Sequence, residues 1–287
     1  MIISDLDHTG GVLAILFKLT RTRRGHIVIC HGKLSRSFGA WMVRIFRLYT
    51  HIDRFLCYGA VVEERLKKWA RVPEDQVKLV LHPADHHFWR PSIREPERLI
   101  SSAGMYRRDY PTLVQAVRDM DVRVEIAAFS PWVKPGIRPP DVDLPGNVYF
   151  TRLPPTLLRD LYARSLFVVV PVHETASQAG SLVIYEAMSM GKAVVATGTE
   201  GQQGMSLIRD GKTGFYVKPG DVESWRKVIS YLLENPQEAI LMGQAARAEV
   251  EHRLNLDQYI SDMAGVVRSI SAARGWRQAV SPVEAVE

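Results

Sequence analysis

The chain has 287 residues, 46% apolar and 24% charged, an ordinary composition with length for one large core or two modest ones. Its net charge of +6 is unevenly placed: residues 1–91 carry 15 Lys and Arg against 8 Asp and Glu, whereas the remainder carries 22 against 23. The longest apolar run, VLAILF from Val12 to Phe17, is too short to cross a bilayer, and no basic stretch leads into an apolar core as a secretory signal requires.

The basic first third points either to a phosphate-bearing or anionic-membrane partner or to no more than a positively biased surface. Nucleic acid is not expected, because no basic run is interleaved with stacking aromatics. Cys30 and Cys57 each sit in a strand-like run and read as buried free thiols of a reducing compartment. The expected location is therefore cytoplasmic, with peripheral attachment to the inner membrane face left open.

In chain order, strands are expected at MIISDL, HIVICHG, RFLCYG and VKLVLHP, with helical stretches such as GVLAILFKLT and AWMVRIFRLY between them. A junction follows at FWRPSIREPER, where Pro91 and Pro96 punctuate a charged stretch. The second half offers RLISSAG, VRVEIAAF, NVYFTRL, LFVVVPV, KAVVAT and TGFYV as strands, and helices beginning near Pro111, Pro155, Gly180, Asp221 and Pro236. Strand–helix alternation argues for parallel sheets, and continuous runs such as LFVVV fit strands covered on both faces. The predicted architecture is α/β, with two doubly wound Rossmann-like domains over residues 1–91 and 92–265 and a helix end and frayed tail over 266–287. The stretch GAWMVRIFRLYTHIDRF, residues 39–55, reads as a basic, aromatic, amphipathic helix. It either lies in a membrane interface or packs on the sheet.

The most informative segment runs from Pro171 to Gly201: PVHETASQAGSLVIYEAMSMGKAVVATGTEG. A buried strand ends at Pro171, a loop of small residues follows, and a helix starts near Gly180–Ser181 and stops at Gly191. In open parallel sheets ligands bind beyond the carboxyl ends of the strands, where this loop falls. The first amides of the helix, at Ser181, Leu182 and Val183, lack intrahelical acceptors and are suited to a phosphate. Glu186 stands one turn further among Leu, Val, Ile, Ala and Met. It is either a ligand for vicinal ribose hydroxyls or a carboxylate paired with a nearby Arg or Lys.

These residues resemble the signature of glycosyltransferase family 4, retaining enzymes of the GT-B fold: a Glu, seven residues, then Glu-Ala-Met and Gly-Lys-Pro-Val-Val-Ala. Here the second Glu is Glu186, followed by Ala187, Met188 and GKAVVAT. The resemblance implies that Glu186 binds the donor ribose and that the Ser181, Leu182 and Val183 amides after Gly180 meet the distal phosphate. The pattern's first Glu falls on Gln178, a departure that leaves a neutral amide to orient the sugar; Glu174 is a weaker substitute. Upstream, Gly104, Met105, Arg107, Arg108 and Asp109 resemble the family's glycine-ended strand and cationic loop. The resemblance implies that Arg108 binds the pyrophosphate, with Arg107 in support and Arg152 among the donor ligands. The alternative for Arg107 and Arg108 is a pair of solvated loop charges. SDLDHTGGVLAIL and HIVICHG resemble the middle strands of the family's acceptor domain. No counterpart of its first strands precedes Met1, so either the domain is minimal or the chain is shortened, with an oligomer or partner subunit as a way of completing it. A family histidine matches His8 first and His31 second.

The resemblance thus implies transfer of a sugar from a nucleoside-diphosphate donor, a UDP-sugar by preference, to an acceptor hydroxyl on a glycan, a lipid-linked compound or a small molecule. No cofactor and no metal are expected, since no dense carboxylate or His/Cys cluster is evident and the adjacent His86 and His87 cannot readily share one ion. Two rivals are a non-catalytic or partner-dependent donor-binding subunit and a sugar-nucleotide epimerase of the same fold.

Overall fold

A computed structural model describes residues 1–32, 34, 36–128, 143–202 and 207–276. The chain forms two compact units. One contains Met1–Cys57, Val62–Leu79 and the segment that begins at Asp257; the other contains Tyr58–Val61 and Val80–Leu256. The expected boundaries at 91 and 265 differ from these. The first sheet is complete once its fourth strand ends, and the last long helix returns to the first unit. There Arg274 donates to Asp53 Oδ1 at 2.8 Å and Oδ2 at 3.1 Å. That fork-shaped pair ties the helix to the strand entry beside Asp53.

In the first unit, strands β1 (Ile2–Ser4), β2 (His26–Cys30), β3 (Arg54–Cys57) and β4 (Val77–Leu79) form a parallel sheet in sequential order. Helices α1 (Asp7–Leu19), α2 (Ser37–Ile45) and α3 (Ala60–Lys68) connect them. Strand β2 is buried at every position, as its uninterrupted HIVIC run predicts. Val28, Phe55, Leu48, Ile52 and Leu66 fill the core on one face. The long helix expected over 39–55 is shorter than its sequence suggests. It ends at Ile45, Arg47 takes a left-handed φ of +46°, and Leu48–Thr50 form one turn of 3₁₀ helix. This break drops Leu48 into the core, where an unbroken helix would carry it past.

In the second unit, β5 (Leu99–Ala103), β6 (Arg123–Ala127), β7 (Val148–Thr151), β8 (Phe167–Val170), β9 (Ala193–Thr197) and β10 (Gly214–Val217) form a parallel sheet in the order β10-β9-β8-β5-β6-β7. Six helices accompany these strands or follow them: α4 (Tyr110–Val117), α5 (Pro155–Arg164), α6 (Ser181–Ser189), α7 (Val222–Glu234), α8 (Pro236–Arg253) and α9 (Leu256–Ala273), the last crossing back to the first unit. Their starts follow local chemistry. Asp109 caps α4 through Thr112 N and Thr112 Oγ1, and Asp221 caps α7 through Ser224 N and Ser224 Oγ. Pro155 and Pro236 open α5 and α8, where a missing amide costs nothing. Helix α6 stops as expected, with Gly191 at φ +69°. The strand order reverses between β5 and β8, so the connections beyond their carboxyl ends lead off in opposite directions and leave a crevice there. The frayed tail expected from RQAVSPVEAVE lies outside the described residues.

Candidate functional site

At this switch point the second unit holds a cavity of about 560 Å³. Gly104 and Arg108 line it from the end of β5, Gln178, Gly180 and Glu186 from the loop and helix after β8, and Leu153 from the segment after β7. The volume lies in the range of small-molecule sites, and the wall combines apolar area with a few converging polar groups.

The β5 side is built on a sharp turn. Gly104 has a φ of +88°, and a Cβ there would stand 2.7 Å from Arg108 Nη2. The positive φ favours glycine, and the Arg108 guanidinium lies over it. Arg108 donates from Nε to Ala103 O at 2.8 Å and from Nη1 to Tyr106 O at 3.0 Å. Its fork is held against the chain, with Nη2 over Gly104, and the residue lines the cavity. Tyr110 donates its hydroxyl to Gly104 O at 2.5 Å, which fixes the same turn from below. Arg107 is placed differently from Arg108. It has a φ of +60°, is exposed, and lies outside the cavity lining; its carbonyl accepts from His173 N at 3.0 Å. Arg152 is exposed just after β7, next to the cavity residue Leu153.

The β8 side is a latched loop. Val172 N donates to Thr197 Oγ1 at 2.9 Å, and Gly201 N donates to Thr175 O at 2.8 Å. A Cβ on Gly201 would meet Ser177 O at 2.0 Å, so only glycine permits this approach. Gln178 completes the latch: Nε2 donates to Gly201 O at 2.5 Å, and Oε1 accepts from Ser181 Oγ at 3.2 Å. Both ends of the amide expected to orient a sugar are thus engaged within the loop, although the side chain lines the cavity. Glu174 is engaged as well, Oε1 accepting from Thr175 N and Glu200 N at 2.9 Å each.

Helix α6 begins at Gly180, whose φ of +90° turns the chain into its first turn. Of the three amides expected to be open, that of Ser181 donates to Gln178 O at 3.2 Å. Ile184 N bonds to Gly180 O at 3.1 Å, and among the described residues the Leu182 and Val183 amides have no backbone acceptor. The helix end therefore leaves two amides, rather than the expected three, free of a backbone acceptor.

Glu186 opens on the cavity from the next turn, and its carboxylate has a partner that sequence reasoning did not name. The hydroxyl of the fully buried Tyr162 on α5 donates to Glu186 Oε2 at 3.2 Å. Burial raises the Glu186 pKa to about 7, against the opposing pull of the Tyr162 hydrogen bond and the Arg108 charge. The expected alternative of a direct Arg or Lys pair is replaced by this phenol. Tyr162 carried no sequence signal beyond its place in an amphipathic helix. Trp89 also lines the cavity and is held by Arg247, which donates from Nη1 to Trp89 O at 3.1 Å and Ser189 O at 2.7 Å.

His8 and His31 belong to the first unit. His8 is exposed in the first turn of α1; His31 follows β2, its ring 3.5 Å from Asp5 and its amide 2.8 Å from Asp7 Oδ2.

The fold is that of the GT-B glycosyltransferases. Residues 105–235 match the family described as glycosyl transferases group 1. The sulfoquinovosyl transferase SQD2 of Arabidopsis thaliana is 37% identical over 95 residues, which is 33% of this chain and 18% of that protein. The match thus spans under a fifth of that relative's length. Among solved structures, the sucrose-phosphate synthase of Thermosynechococcus elongatus superposes with a TM-score of 0.75 at 19% identity, over 95% of this chain and 74% of that one. Anabaena HepE in complex with UDP-glucose gives a TM-score of 0.71 at 17% identity, over 92% and 79%. The GT-B likeness covers nearly the whole chain, while the family match falls on the second unit and contains Gly180, Glu186 and both arginines of the β5 turn.

Proposed function

We propose that the chain transfers a sugar from a nucleoside-diphosphate sugar to an acceptor hydroxyl with retention at the anomeric carbon. The observation that carries this reading is the convergence, on one cavity, of Arg108, two open amides of α6 and the carboxylate of Glu186. A diphosphate needs cations and donors, and a ribose needs an acceptor for its vicinal hydroxyls; this wall supplies both at neighbouring positions. Leu153, Pro155 and Leu158 offer an apolar surface for the base. Uridine is the proposed base, in keeping with HepE, which is described in complex with UDP-glucose.

In the step itself the bond between the anomeric carbon and the distal phosphate oxygen breaks and the acceptor oxygen takes its place. The acceptor's proton leaves with the diphosphate or to water. Charge grows on the leaving diphosphate, so Arg108 and the α6 amides stabilise the transition state more than the ground state. His8 is proposed for the acceptor side, Arg107 and Arg152 as outer donor contacts, and no metal is invoked. The acceptor class stays open among glycans, lipid-linked compounds and small molecules, and a cytoplasmic site of action is proposed.

Gln178 favours a second reading. Its amide is already bonded to Gly201 and Ser181, which suits a donor-binding module that does not turn donor over. Calorimetric titration with UDP, followed by assay of UDP release from UDP-sugars with and without acceptors, separates the two. Binding with release supports transfer; binding without release under all acceptors supports the module; absence of binding to any nucleoside diphosphate removes both.

A further inference from the structure

The surface of the first unit carries a feature that donor binding does not use. Helix α2 buries only the small residues Ala40 and Val43, while Phe38, Trp41 and Ile45 stand 74%, 51% and 55% exposed. A helix packed on a sheet turns its largest apolar side chains inward, and α2 does the reverse. The exposed groups are contiguous. Phe38 stacks on Trp41 with centroids 6.1 Å apart, and Trp41 meets the exposed Phe46 edge-on at 6.5 Å. Trp41 and Arg44 share a groove of about 330 Å³ with Trp69 from the end of α3, itself 49% exposed.

Beyond Asp7, the charge along α1 and α2 has one sign, whereas α3 beside Trp69 carries Glu63 and Glu64 paired with Lys67 and Lys68. Residues 8–52 contain eight Lys and Arg and no Asp or Glu. Lys18 Nζ donates to Phe46 O at 2.7 Å, which brings the basic end of α1 against the aromatic end of α2. Arg65 lies over the Trp69 ring at 5.2 Å, and Arg36, Arg44 and Arg47 are exposed with no carboxylate partner among the described residues. Burial and the fields of Arg23 and Lys18 hold the nearby His51 imidazole below its usual pKa.

We infer that this face of the first unit, Phe38, Trp41, Ile45, Phe46 and Trp69 ringed by Lys18, Arg36, Arg44 and Arg47, docks on an anionic phospholipid bilayer. Aromatic and aliphatic side chains on one short helix insert at the headgroup boundary, where amphipathic rings are stable, and the surrounding cations meet lipid phosphates. A soluble polyanion would use the cations but leave the aromatics in water; a neutral protein surface would use the aromatics but leave the cations uncompensated. The bilayer accounts for both. The inference goes beyond the donor site and is independent of it, since docking needs no nucleotide.

The test is co-sedimentation of the full chain with vesicles of phosphatidylcholine alone and of phosphatidylcholine mixed with phosphatidylglycerol, at low and high salt, without nucleotide. The expected result is pelleting with the mixed vesicles, release by high salt, and little pelleting with phosphatidylcholine alone. Two double variants are compared, F38S/W41S and R44Q/R47Q, both at exposed positions, with circular dichroism to verify folding. Each is expected to weaken vesicle binding by about tenfold or more. If one fails to fold, the other decides. Equal binding of both folded variants and wild type, no preference for anionic vesicles, or capture by a soluble polyanion such as heparin with vesicles left unbound would each overturn the inference.

Discussion

Tyr162 on α5 donates its hydroxyl hydrogen to Glu186 on α6 across 3.2 Å, so the one carboxylate that the described residues place on the cavity wall is anchored by a phenol rather than by a cation. The arrangement leaves Glu186 able to ionise and to accept further hydrogen bonds from the cavity side, as a ribose would offer. Glu186→Ala is expected to weaken UDP binding by about 1.5–3 kcal/mol, the usual worth of a hydrogen bond to a charged group. Calorimetry reads the loss and circular dichroism verifies the fold. Unchanged affinity in a folded variant takes Glu186 out of the site.

The same carboxylate makes the donor-free protein pH-sensitive. With a pKa raised to about 7 by burial, the folded state holds this proton more tightly than the unfolded chain does. The sign follows: relative to a side chain that cannot ionise, wild type loses stability as pH rises from the unfolded carboxylate value toward 7, and no more beyond it. The full difference is on the order of 3 kcal/mol. Chemical denaturation of wild type and Glu186→Gln across pH 4.5 to 8 is the measurement; a difference between them that stays flat with pH contradicts the assignment. UDP should oppose the effect, because ribose hydroxyls favour the ionised form. Affinity should then rise with pH in wild type beyond any rise in Glu186→Gln.

Arg108 does two things at once. It clamps the turn through Ala103 O and Tyr106 O and presents charge to the cavity. Arg108→Ala is expected to lower turnover by roughly 10²–10³-fold, with a smaller loss in UDP affinity, because leaving-group charge grows toward the transition state. Arg108→Lys keeps the charge but not the fork, and should recover only part of the turnover. Equal losses in affinity and intact turnover would argue that Arg108 acts as a turn clamp alone.

Catalysis by cationic side chains and helix amides implies that transfer persists with chelator present. Activity abolished by EDTA and restored by magnesium or manganese would require a different account of how the diphosphate is neutralised.

Much of this was legible in the sequence because the chemistry is local. The uninterrupted HIVIC and LFVVV runs, prolines 155 and 236 and the capping Asp109 and Asp221 mark elements within a few residues of themselves. Gly191 likewise announced the left-handed residue that ends α6. What was not legible depends on residues brought together from afar. Tyr162 stands 24 positions before Glu186, and Gly201 stands 23 after Gln178. The break at Arg47 was missed because the apolar spacing of 39–55 continues through it. Only the packing of Leu48 and Ile52 into the first core shows why the helix must end.

Gln178 tests the reading most sharply. In the latched loop its amide donates to Gly201 O and accepts from Ser181 Oγ, so substitution acts on the loop as well as on any sugar. Gln178→Glu removes the donor and sets a carboxylate against a carbonyl oxygen, which should cost about 1–3 kcal/mol in the latch. For a diphosphate bound as proposed, repulsion from a new negative charge is roughly 3 kcal/mol per unit charge at a separation of about 5 Å and an effective dielectric near 20, so UDP affinity should fall. On the proposed reading, in which this position faces the sugar, the same carboxylate stabilises positive charge at the anomeric carbon, so turnover of bound donor rises while affinity drops. Gln178→Ala loses the latch without adding charge, and should lose turnover with a smaller change in UDP affinity. Donor hydrolysis and transfer by wild type and both variants, alongside UDP titrations, separate the outcomes. Turnover in wild type that falls in Gln178→Ala supports an active transferase with a neutral group at this position. A wild type that binds donor without turning it over, and a Glu variant that does, identifies a donor-binding module. Identical rates and affinities in all three would show that neither the latch nor the sugar depends on this side chain.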